Sequence, residues 1–145
     1  MREIMFRGLD ATGQKKWVYG DLVHNKKVTR TGLEDRVMVG GYEVFMDSVG
    51  QFTGLKDKNG REIYEGDIIK IVENLDDEPY NSEVKFYKGV FGVENWTENT
   101  RNRSLTTLNY FMPTVGLYDD EQEYTVEVLG NIYENKDLLK KNRES

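Results

Sequence analysis

The chain has 145 residues, a formal net charge of −6, no cysteine and one histidine. That length suits one domain or two very small ones, and the missing cysteines exclude disulfides and thiolate metal sites. Hydrophobic residues make up only 37% of the chain but aromatics reach 12%, so the core must lean on Tyr, Phe and Trp, which bury much area per side chain. A disordered chain would lack those aromatics.

No stretch approaches the roughly 18 apolar residues of a membrane span, and the opening MREIMFRGLD lacks the apolar run of a signal peptide. A soluble, cytoplasmic protein with no membrane partner is expected. Charge is uneven. Residues 1–40 carry eight Lys/Arg against five Asp/Glu, a balance of +3. Residues 41–145 carry twelve against twenty-one, a balance of −9. Such asymmetry can mark a binding face, but the overall acidity argues against nucleic acid as the main partner.

In chain order, Ile4-Met5-Phe6 reads as a strand ended by Gly8. Asp10-Ala11-Thr12-Gly13 is a turn, and Lys16-Trp17-Val18-Tyr19 returns as the second arm of a hairpin. Gly20-Asp21 bends into Leu22-Val23. His24 to Asp35 is mostly polar and reads as a long loop. Arg36 to Val39, Gly40-Gly41 and Tyr42 to Phe45 form a strand, tight turn and strand. Asn59-Gly60 is a strong hairpin signal, with positive φ expected at both centres. The β-branched strand beyond it, Ile63 to Val72, carries Gly66-Asp67, where a bulge or a close backbone approach is expected. Asp76-Asp77-Glu78-Pro79 is an exposed acidic turn. Val84 to Tyr87 and Val90 to Val93 pair around Lys88-Gly89. Leu105, Leu108, Phe111 and Met112 have helical spacing, stopped by Pro113. Tyr124 to Leu129 alternates as a strand broken by Gly130. Asn135 can cap a last helix over Lys136 to Lys141. Many short strands with frequent glycine favour a barrel or sandwich over alternating βα units. A boundary near residue 47 divides an N-terminal hairpin segment, 1–47, from a small barrel with a terminal helix, 48–145, although one continuous domain fits the pattern too.

Three separated motifs now resemble a known family. Gln51-Phe52-Thr53-Gly54-Leu55-Lys56-Asp57 with Asn59-Gly60, then Ile63-Tyr64-Glu65-Gly66-Asp67-Ile68, then Val128-Leu129-Gly130-Asn131-Ile132-Tyr133-Glu134-Asn135 are similar to the YopX family of phage and prophage proteins. Ile4 to Gly8 and Trp17 to Asp21 resemble its opening. The resemblance implies a mainly β protein with an SH3-like barrel core, a phage or prophage origin and a bacterial cytoplasm. It implies no activity.

Candidate chemistry is sparse. His24, in a polar run beside Asn25 and Lys26, reads as a solvated surface histidine rather than a catalytic base or zinc ligand. Asp57 to Gly60 is a poor calcium loop: Gly60 falls fourth rather than sixth, and Ile68, which cannot ligate, falls twelfth. Glu65 and Asp67 would share one strand face, yet a local backbone role for Asp67 is the simpler reading. The acidic runs Asp76–Glu78 and Asp119–Glu123 read as solvated loops. Lys26, Lys27, Arg30 and Arg36, with Lys15, Lys16, Trp17 and Tyr19 nearby, form the candidate interaction surface. They could contact a phosphate backbone, although a hairpin must also pack its aromatics. The reading is therefore a non-catalytic accessory protein that binds another macromolecule, with no cofactor and no metal. The partner is an unidentified protein or a second copy, and a basic N-terminal face for nucleic acid is the alternative.

Overall fold

A computed structural model describes residues 2–73, 78–95, 104–112 and 124–140. The chain divides into two units, Met1–Gly54 and Leu55–Ser145.

In the first unit, β1 (Phe6–Leu9) pairs antiparallel with β2 (Trp17–Gly20), with Phe6 opposite Gly20 and Leu9 opposite Trp17. The Asp10 carboxylate closes the turn between them by accepting both the N–H of Thr12, at 2.8 Å, and its hydroxyl, at 2.6 Å. Those two bonds hold its pKa below the ordinary value. The first strand begins two residues later than the apolar run suggested, and Gly8 lies inside it rather than ending it. A Cβ at Gly8 would sit 2.8 Å from the Val44 side chain, so the glycine serves close packing.

Residues 24–35, expected as a loop, are instead most of a long hairpin. β3 (Leu22–Thr29) and β4 (Gly32–Val39) pair along their whole lengths, from Leu22 opposite Val39 to Thr29 opposite Gly32, and Arg30-Thr31 form the turn. Polar residues disguise the ribbon because its distal part has little to bury, so the alternation of a half-buried strand is missing. β5 (Tyr42–Val44) then pairs with Val37–Val39 only. Gly40-Gly41 make the expected tight turn. Gly40 has φ +58°, and a Cβ there would collide with the Tyr19 carbonyl oxygen. Phe45 donates its N–H to Leu9, and a short 3-10 turn, Met46–Ser48, follows. The Ser48 hydroxyl accepts the Leu9 N–H at 2.8 Å and donates to Phe45. β6 (Gly50–Lys56) starts by pairing with β1 and leads into the second unit.

The second unit holds the main core: Ile63, Ile69, Ile71, Val84, Val93, Leu108, Phe111, Val126 and Val128. The β-branched run splits into β7 (Glu62–Tyr64) and β8 (Asp67–Val72), with Glu65-Gly66 as a turn between them. Gly66-Asp67 is therefore not mid-strand, and Glu65 and Asp67 do not share a strand face. Ile68, Ile69 and Ile71 are all fully buried, which explains why the run of isoleucines does not alternate with polar residues. β8 lies between β9 (Tyr80–Glu83) and β13 (Thr125–Asn131) in one antiparallel sheet. A second sheet holds β10 (Lys85–Tyr87), β11 (Val90–Asn95) and β12 (Ser104–Thr107).

Four details differ from expectation. The segment with helical spacing is extended through Thr107, and only Leu108–Phe111 form a 3-10 turn. Leu108 and Phe111 plug the core, where Phe111 also meets Tyr124 edge-on. Gly130 does not end β13, which runs to Asn131 with a register shift between Val128 and Gly130. The terminal helix, α1, spans Asp137–Lys140, and the Asn135 side chain does not cap it but accepts the Asn131 N–H. The sheets are small, and no barrel closes among the described residues. Asp76, Asp77, Pro113 and the run Asp119–Glu123 lie outside them.

Candidate functional site

The motif-rich stretch around Asp57 is occupied by structural work. Lys58-Asn59-Gly60 form a three-residue hairpin loop, with Asp57 and Arg61 as its closing pair: the Asp57 N–H donates to Arg61, and Gly60 donates back to Asp57. Gly60 has φ +81° while Asn59 stays at negative φ, so this is a type I turn with a glycine bulge rather than the expected two-residue form. Both Asp57 carboxylate oxygens are engaged. Oδ1 accepts from Asn59 and Arg61, and Oδ2 accepts from Val128, each at 2.9 Å. Burial opposes ionisation of Asp57, but the N–H groups of Val128, Arg61 and Asn59 and the Arg61 charge outweigh it and lower the pKa. The Lys58 N–H adds a bond to Val126. The turn thus latches onto β13 at its irregular point. Asp67 likewise accepts the Tyr64 N–H at 2.8 Å, the local backbone role expected of it.

Tyr80 and Glu73 form a similarly local pair. Tyr80 donates to Glu73 at 2.8 Å; burial, that bond and the Glu73 charge all push its pKa up. Among the described residues, no group of three or more His, Cys, Asp or Glu side chains could hold a metal ion.

What remains is the β3–β4 ribbon. Residues 25–29 and 32–36 extend beyond the part of β4 that pairs with β5, leaving a two-stranded arm. Paired residues project on the same face. One face carries Leu22, His24, Lys26 and Val28 with Leu33, Asp35, Val37 and Val39 opposite them. The other carries Val23, Asn25, Lys27 and Thr29 with Glu34, Arg36 and Met38.

The four sequence-selected cations therefore do not converge. Lys26 lies on the first face beside Asp35, Lys27 and Arg36 on the second, and Arg30 in the turn. Lys27 Nζ is 2.7 Å from Glu43, and Arg36 Nε donates to Asn25 at 2.7 Å. Carboxylates interleave with the cations, so the arm is zwitterionic rather than a basic stripe. His24 is exposed opposite Val37. Trp17 is half-buried under the Arg7 guanidinium, 4.7 Å from its ring centroid, whereas Tyr19 is exposed.

Sequence reasoning missed Val28 and Leu33. They face each other next to the turn and are 83% and 68% exposed. The available signal was the period of two linking Leu22, His24, Lys26 and Val28, together with Gly32 directly after the Arg30-Thr31 turn. An exposed cross-strand apolar pair on a two-stranded ribbon adds little to the fold and is suited to contact.

Fold and site together define a mainly antiparallel β protein with an exposed β arm. The YopX protein family model matches residues 5–140, and the chain belongs to the YopX family. Two solved structures resemble it, protein EF1440 from Enterococcus faecalis and yopX from Bacillus subtilis. Each is 23% identical with a TM-score of 0.50, covering 96% of this chain and 99% of the other. Comparison with curated proteins finds no match.

Proposed function

We propose that this protein is a non-catalytic accessory module, of phage or prophage origin and acting in the bacterial cytoplasm, that binds another macromolecule through its β3–β4 arm. One observation carries the reading: Val28 and Leu33 stand exposed at the end of a ribbon whose charges are already interleaved. An apolar tip rimmed by mixed charge suits a protein surface better than a phosphate backbone. The second unit serves as scaffold, a partly open SH3-like roll bent at the Val128/Gly130 irregularity. The carboxylates of Asp57 and Asp67 support a role without chemistry, because their oxygens accept backbone N–H groups.

The test is affinity capture from host lysate with wild type and a Val28→Glu/Leu33→Glu double variant as baits, with and without nuclease. The expected result is a nuclease-resistant protein, a second copy of this chain included, retained by wild type and lost with the variant. Retention that nuclease abolishes would instead favour the alternative, a nucleic-acid contact through Lys26, Lys27, Arg30 and Arg36. That contact would weaken steeply with salt. Identical retention by both baits would remove the arm from the mechanism.

A further inference from the structure

We infer that the occupant of the arm is a second copy of this chain, joined antiparallel along the outer edge of β3. The inference rests on the arm being the contact surface and specifies what it contacts. β3 is an edge: its sheet runs in the order β3-β4-β5, and among the described residues no further strand pairs with it. An eight-residue edge strand is a ready template for another strand. Because the strand would meet itself, symmetry decides the register.

A two-fold axis normal to the sheet keeps each face on its own side. Paired residues must then lie on the same face, so their numbers share parity. Two registers satisfy this with the longest overlap of Leu22–Thr29. Centring on Lys26 would pair Val23 to Thr29 and set Lys26 directly against its own copy. Centring on Asn25 pairs Leu22 to Val28 and sets no like charges opposite each other.

In the Asn25-centred register, Leu22 meets the other copy's Val28, and Lys26 meets its His24. The stem of Lys27 lies along its Val23. Lys26 and its symmetry mate come no closer than diagonal neighbours, and each keeps Asp35 alongside on β4. One face gains a continuous apolar row across the junction: Tyr42, Val39 and Leu22 from one copy, then Val28 and Leu33 from the other. Leu22, Tyr42, Val28 and Leu33 are all exposed in the single chain, and the junction gives Leu22 and Val28 a further apolar neighbour each. The pattern of β3 is therefore self-complementary in one register.

Sedimentation velocity over a concentration series, with three variants, tests this. Wild type dimerises reversibly at micromolar concentration, as expected for an interface of modest area. His24→Lys places like charges opposite one another twice per dimer and weakens association about tenfold. Adding Lys26→Gln to it removes the opposing charge without setting a carboxylate against Asp35, and restores association. Asn25→Cys introduces the chain's only cysteine at the two-fold axis. Facing Cα atoms in antiparallel strands lie about 4.5–5.5 Å apart, within disulfide range, so this variant forms a covalent dimer on mild oxidation. Lys27→Cys, whose partner is Val23, does not. All sites are exposed or half-buried, and circular dichroism checks that each variant folds. A wild type that stays monomeric at every concentration overturns the inference. So does a dimer indifferent to His24→Lys, or one in which Asn25→Cys does not cross-link. If wild type is monomeric while the capture experiment still depends on Val28 and Leu33, the arm binds a different protein and the proposed function stands.

Discussion

Asp57 shows how one short side chain ties distant pieces of backbone together. Its carboxylate holds its own turn through Asn59 and Arg61 and holds β13 through Val128, 71 positions away. Asp57→Ala strands those N–H groups, and urea denaturation is expected to show a loss of about 2–3 kcal/mol. Because the folded-state pKa is lowered, the carboxylate's contribution is complete above the unfolded value, about 3.9, and is lost as pH falls through the folded one. Asp57→Asn removes that component of acid sensitivity. It also turns the acceptor facing Val128 into an amide that satisfies fewer of the donors. A stability curve of Asp57→Asn that still falls with acid as steeply as wild type would place the controlling group elsewhere.

At the scale of elements, the two ends of the β3–β4 ribbon differ. Near β5 the ribbon is packed: Val39 is fully buried, and Gly40 passes so close to Tyr19 that no side chain fits. Gly40→Ala combines that collision with a left-handed φ, and thermal unfolding is expected to show a loss of about 1–3 kcal/mol. Val28→Thr and Leu33→Thr, at the free end, are expected to change stability by no more than about 0.5 kcal/mol. Equal costs at the two ends would mean that the tip is part of the core. The contrast explains why this element was the hardest to read in the sequence. Turns such as Asp10–Gly13, Gly40-Gly41 and Lys88-Gly89 were legible because glycine and aspartate impose local backbone geometry. Strands such as β13 were legible because one face is buried. The arm has neither full burial nor an Asn-Gly turn, so its polar residues looked like loop. Leu108 and Phe111 misled for the opposite reason: two core plugs three residues apart imitate a helical stripe while the chain makes only a 3-10 turn.

For the whole molecule, the three separated family motifs and the proposed contact surface fall on different elements. The motifs around Asp57, Gly66-Asp67 and Asn131 coincide with turns and latches of the second unit, where Asn131 Oδ1 accepts the N–H groups of Tyr133 and Glu134 at 3.0 Å. They made the family and the β character readable without revealing a function. Lys26, Lys27, Arg30 and Arg36 fall on the arm or in its turn. The sequence showed their number, but only the strand register showed that Asp35, Glu43 and Asn25 stand beside them and that Val28 and Leu33 lie at the tip.

Amide hydrogen exchange, read by mass spectrometry on the free protein, on the concentrated protein and on the protein held in host lysate, tests the central claim most directly. Protection gained on concentration or in lysate is expected within Leu22–Val39, with the amides of β8 and β13 unchanged because they are protected from the start. Protection gained around Gln51–Ile68, with the arm exchanging at the same rate under every condition, would contradict it.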